Sequence, residues 1–60
     1  MIYWVISEKG KDKLYLTKYL THIRIFSQHY RFNVLGMIHS NYDQQGKWVT
    51  KEELNDILSL

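Results

Sequence analysis

Residues 17–31, Thr-Lys-Tyr-Leu-Thr-His-Ile-Arg-Ile-Phe-Ser-Gln-His-Tyr-Arg, hold three permanent cations, two histidines and not one acid. The acid-free run is longer still. Between Asp12 and Asp43 lie 30 residues without Asp or Glu, and they carry Lys13, Lys18, Arg24, Arg31 and all three histidines. The net charge is only +2, because six acids sit toward the two ends. This separation of sign says more about partners than the net value does. Cations that face no acid can do two kinds of work. They can hold phosphates, where Arg and Lys give affinity without sequence information. They can also meet a carboxylate-rich protein surface, where they chiefly steer encounter.

The histidines invite catalytic and metal chemistry, and their spacing argues against both. His22 and His29 are seven residues apart, about 10 Å along a helix, too far to share one ion. The zinc-protease spacing of two histidines four apart with an intervening glutamate is absent. The chain has no cysteine, so a thiolate zinc site and a disulfide are both excluded. Two histidines with a lysine could serve acid–base cleavage of RNA, but that chemistry needs convergent groups, which this spacing does not supply. In the segment 41–54, Asp43, Gly46 and Glu52 invite comparison with an EF-hand calcium loop. Aligned on Gly46, the first and fifth ligand positions fall on Asn41 and Gln45, leaving too few carboxylates, and Trp48 stands where a small β-branched residue is usual. No catalytic residue, metal ligand or cofactor is expected, and Gly46 reads as a tight-turn glycine with positive φ.

The elements that must position these groups follow from hydrophobic period. Ile2-Tyr3-Trp4-Val5-Ile6-Ser7 is apolar on both alternating faces, as in a central strand covered on both sides. Polar residues 8–13 with Gly10 at their centre make a hairpin turn. Lys13-Leu14-Tyr15-Leu16 alternates as a half-buried second strand. From Thr17 the period changes: at 100° per residue Leu16, Tyr19, Leu20, Ile23, Phe26 and Tyr30 fall within an arc of roughly 120°, the width of a core-facing helical stripe. Only Ile25 lies opposite. A strand over 22–26 would scatter Tyr19, Leu20 and Phe26 over both faces, so the helix is preferred. Residues 31–40 alternate again, with Phe32, Val34 and Ile38 against Leu35 and Met37, and Gly36 marks a bulge or a close backbone approach. Residues 41–46 are a turn by composition. Thr50 followed by Glu53 makes a capping box, with Val49 placed to staple to Leu54, and a short final helix buries Leu54, Ile57 and Leu58.

The expected fold is α+β: a single compact domain over 1–60 with layout ββαβα, a short antiparallel sheet, a middle amphipathic helix and a short C-terminal helix. At 60 residues without cysteine, stability must come from burying large side chains, chiefly Trp4, Tyr19, Phe26, Tyr30 and Phe32. Tyr3, Tyr15, Tyr42 and Trp48 are free to serve either the core or a contact surface. No run approaches the roughly 20 apolar residues of a membrane span, and the apolar start is too short for a signal-peptide core, so a cytoplasmic protein is expected. The chain lacks alanine and proline, while Phe, Tyr, Met, Ile, Asn and Lys, whose codons are AT-rich, supply 24 of 60 residues. That composition points toward an AT-rich genome, a low-GC bacterium or one of its phages or mobile elements.

On the middle helix, Arg24, Gln28 and Arg31 share one flank, while Lys18, His22 and His29 make a second stripe beside Ile25. With Lys13, these residues are the expected binding set. Ile25 among cations is the mixture of apolar anchor and charge found at interfaces. The expected function is therefore a small non-enzymatic protein that docks on a larger protein with an acidic surface and modulates or inhibits it. Nucleic-acid binding through the same face is the alternative, weakened by a net charge of only +2. Self-association into a homodimer is a further expectation for so small a core.

Overall fold

The computed structural model describes residues 1–59. Six elements follow in order: β1 (Ile2–Glu8), β2 (Leu14–Thr17), α1 (Leu20–Ser27), β3 (Phe32–His39), β4 (Lys47–Val49) and α2 (Lys51–Ser59). The four strands form one antiparallel sheet in the order β3-β1-β2-β4. The expected α+β architecture holds, with one strand added to the ββαβα layout. β2 and β3 are both antiparallel to β1 and flank it, so α1 carries the chain across β1 between two strands that run the same way.

β1 is the central strand that its two-sided apolar pattern predicts. Tyr3 and Ile6 are fully buried and Val5 nearly so. Val5 faces the side on which Leu14, Leu16 and Val49 cluster, with Ile38, Leu54 and Ile57 packed against them, so α2 covers this face. Tyr15, alternating with Leu14 and Leu16, points to the opposite face and meets α1. Its ring lies 5.2 Å from Phe26 and 4.9 Å from Trp48, and Phe26 in turn stands 4.7 Å from Phe32. Such offset and edge-on pairs contribute about 0.5–1.5 kcal/mol each beyond the area they bury.

The helix is shorter than its periodicity suggests, and the sheet explains why. Thr17 pairs with Trp4 and Phe32 with Glu8. The crossover therefore spans only four strand residues, about 13 Å, which an eight-residue helix covers at about 12 Å. The helix stops at Ser27, whose hydroxyl donates back to the Arg24 carbonyl (3.0 Å), and the next residues turn through His29 N–H to Phe26 C=O (3.1 Å). Two residues assigned to the core are thereby left outside it. Tyr30 falls in the turn and is 85% exposed, and Tyr19 precedes the first helical turn and is about half exposed. Leu20, on the same expected stripe, is also exposed, so α1 is held by Ile23, Phe26 and His22.

Gly36 does mark a bulge. Val5 pairs with Gly36 but Ile6 with Val34, so Leu35 is the extra residue. Gly36 has φ +156°, a backbone region that side chains rarely adopt. The bulge also corrects the expected faces of this strand. Phe32 and Val34 lie on the same face as Met37, toward α1, while Leu35 joins Ile38 on the α2 side. Gly46 turns at φ +72° and delivers the chain into β4, the strand absent from the sequence reading. β4 is only three residues long, too short for a period to show, yet Val49 pairs with Leu14 and Trp48 with Tyr15.

The capping box forms as expected. Glu53 N–H donates to Thr50 Oγ1 (3.1 Å) and Thr50 N–H to Glu53 Oε1 (3.3 Å), while buried Val49 and half-buried Leu54 join the same cluster. Leu58, expected on the buried face, is half exposed. Thr50→Ala removes one cap acceptor and should lower stability by about 1 kcal/mol. Urea denaturation followed by far-UV circular dichroism checks this; an unchanged midpoint would show that the cap does not hold the start of α2.

Candidate functional site

Among the described residues the densest polar cluster forms around Thr17, the last residue of β2, whose side chain is fully buried. Its hydroxyl oxygen accepts from Tyr19 N–H (3.2 Å) and from Gln45 Nε2 (3.1 Å), which fills both lone pairs. Its hydroxyl also lies 3.0 Å from His22 Nδ1 and 3.4 Å from Gln45 Oε1. Gln45 Oε1 accepts from Lys18 N–H at 2.7 Å. One hydroxyl thus ties together the end of β2, the start of α1 and the loop leading to β4. No acidic side chain stands in the first turn of α1 and Tyr19 offers no cap, so Thr17 supplies the local polar partner that the helix start otherwise lacks.

This cluster is a joint: Thr17 itself is fully buried, while His22 and Gln45 beside it are half-buried. A nucleophile must reach its substrate, and the Thr17 hydroxyl does not meet solvent. His22, one of the expected binding residues, is turned inward to Thr17, with Tyr15 Oη 3.5 Å from the same nitrogen. A second polar joint lies at the end of the sheet. Tyr3 Oη accepts from Gln44 N–H (3.1 Å), and Ser40 Oγ accepts from Tyr42 N–H (3.2 Å) and from Gln44 Nε2 (3.4 Å). Among the described residues, no three His, Cys, Asp or Glu side chains converge as metal ligands would.

The other expected binding residues divide by place. Arg24 and Ile25 are exposed on α1, Gln28 caps its C-terminus exposed, and His29 follows, also exposed. Ile25 is 57% exposed on the side that the period assigned to solvent. Lys18 precedes the helix, exposed, with its ammonium 5.9 Å from the centre of the Tyr19 ring. Arg31 lies beyond the helix end, and its guanidinium stands 3.7 Å from the Glu8 carboxylate, so its charge is partly answered. Lys13 sits apart from the helix surface, lining an open groove of about 660 Å³ with Trp48 and Thr50, where Glu8 and Asp12 balance Lys11 and Lys13.

Reasoning from sequence missed the exposure of β3. Val34, Leu35 and Met37 are all exposed, on the outermost strand of the sheet. A hydrophobic alternation reads the same whether a strand is central or at an edge, so only the topology brings this out.

No family model, curated protein or solved structure matches the chain.

Thr17 can be tested without touching the surface. Thr17→Val leaves the Tyr19 amide, the Gln45 side chain and His22 Nδ1 without their shared partner and should cost about 1–3 kcal/mol. Thr17→Ser keeps the hydroxyl and should cost about 0.8 kcal/mol, the worth of one methyl group. Equal losses in urea denaturation would show that the hydroxyl is not the joint.

Proposed function

We propose that this protein is a non-enzymatic binding module that docks on a larger protein carrying an acidic surface and modulates or inhibits it. The observation that carries this reading is the outer face of α1 with its continuation: Arg24, Ile25, Gln28 and His29 are exposed together within a stretch that contains no acid. Among the described residues the salt bridge is Arg31–Glu8, which leaves Lys18 and Arg24 without an acidic partner. The helix that presents Arg24 and Ile25 is pinned from below by Phe26 and His22, so the face is offered on a fixed support, which lowers the ordering cost of binding. A chain of this size can offer roughly 800 Å² to a partner, one standard interface.

Placement in the cytoplasm belongs to the same proposal and fits a fold built without disulfides. Among the described residues no helix is long and apolar enough to cross a membrane. A phage or mobile-element origin would suit a modulator of a host protein, and rests on codon composition alone.

The test is affinity capture from lysate with the native chain and with the double reversal Lys18→Glu, Arg24→Glu, each with and without nuclease. Both positions are exposed, so the fold should persist. The proposal expects one stoichiometric protein to survive nuclease and to be lost with the reversed variant. Loss of every partner after nuclease would transfer the face to nucleic acid, and capture unchanged by the reversal would show that it is only solvated.

A further inference from the structure

The two edges of the sheet are unlike. β4 closes one edge with three residues and carries Lys47, the kind of short, charged edge that resists pairing. β3 forms the other with eight residues, Phe-Asn-Val-Leu-Gly-Met-Ile-His, without lysine, arginine, acid or proline. Leu35 and Met37 are about 60% exposed on it. The bulge at Leu35 is its one protective device.

The backbone groups on the open side can be named. Met1 N–H donates to Ser40 C=O (2.8 Å) and Ser40 N–H to Met1 C=O (2.9 Å), so these two residues form a hydrogen-bonded pair of the ladder. In an antiparallel ladder bonded and unbonded pairs alternate. Ile38 therefore bonds inward to Tyr3, while the N–H and C=O groups of Met37 and His39 point away from β1, to the open edge.

The surroundings of this edge have different chemistry on the two faces. On the α2 face, Leu35, Gly36, Ile38 and Leu54 line an apolar groove of about 210 Å³. On the other face lies α1, which packs next to β3 and has no acid. Helical period places Arg24 and Leu20 on the flank beyond Ile23, away from His22 and Phe26, whose rings meet Tyr15 of β2 and, for Phe26, also Phe32 of β3.

We infer that the β3 edge accepts an extended segment of the partner as a fifth strand, one in which acidic and apolar side chains alternate, the apolar ones entering the Leu35–Leu54 groove and the acids facing Arg24. Strand addition takes its affinity from main-chain hydrogen bonds and its specificity from alternate side chains, and both requirements are present here. A second copy of this chain fits worse. Two-fold antiparallel pairing of β3 with itself keeps both copies of α1 on one face of the joined sheet and brings two acid-free helices together. The inference rests on the proposed docking function and adds the shape of what docks.

The test is a titration of the full chain, followed by amide NMR, with a capped seven-residue peptide of alternating Glu and Val, a second in which Lys replaces Glu, and a third with the four Glu and three Val in separate blocks. The expected result is binding of the alternating acidic peptide with the largest shifts and new amide protection at Met37 and His39. The other two peptides should bind at least about tenfold more weakly. Arg24→Glu should reduce the preference for Glu over Lys by about tenfold without disturbing β1 resonances. Equal binding of all three peptides, shifts centred away from β3, or a chain already dimeric through β3 in sedimentation would overturn the inference. If the peptide fails while charge-sensitive capture of a protein partner persists, strand addition falls and the helix-face reading stands. If capture ignores the reversal of Lys18 and Arg24, the underlying reading falls with it.

Discussion

β1 joins the two ends of the α1 crossover. It alone pairs with two strands of which one leads into α1 and the other receives it, and its side chains enter both layers: Val5 the cluster under α2, Ile6 the side under α1. A chain of 60 residues without cysteine has no covalent means of closing the fold, so the central strand must be buried on both faces at once. That requirement sets the rest. α1 is as long as the part of β1 it crosses, and α2 must return over the opposite face, held by Leu54 and Ile57. The polar joints at Thr17 and Tyr3 then fasten the loops that this doubly covered strand forces around the end of the sheet.

Much of this was legible because it is locally encoded. The two-faced apolar run of β1, Gly10 and Gly46 in their turns, the bulge at Gly36 and the Thr50–Glu53 cap each depend on residues within a few positions of one another. What escaped depends on partners far along the chain. β4 is strand only because β2 offers Leu14 and Tyr15 to Val49 and Trp48. Tyr19 and Tyr30 have the right period for the core, but the geometry of the crossover ends the helix before it reaches Tyr30 and begins it after Tyr19. The bulge moved Phe32 and Val34 to the face of Met37, a reversal that strict alternation cannot reveal.

The same division applies to the surface. The absence of acids between Asp12 and Asp43 is plain in the sequence, and the exposed positions of Arg24, Ile25, Gln28 and His29 keep it meaningful. His22 leaves that set because it turns inward to the Thr17 hydroxyl, and Arg31 is partly compensated because β1 ends at Glu8 beside it. The apolar edge of β3 adds what charge alone does not provide: unpaired backbone groups and an apolar groove next to a cationic helix. A domain with so little interior keeps an apolar edge at a cost in solubility, and a partner that covers it removes that cost.

The most direct measurement is native-state hydrogen exchange of the free chain, read amide by amide. If β1 is the doubly covered centre and β3 an open edge, the amides from Tyr3 to Ile6 exchange slowest, with the global unfolding of the domain. Within β3 the protection alternates: Ile38 is slow, while Met37 and His39 exchange at least about a hundredfold faster. Uniform protection along β3, equal to that of β1, would contradict the account, because the edge would then already be paired.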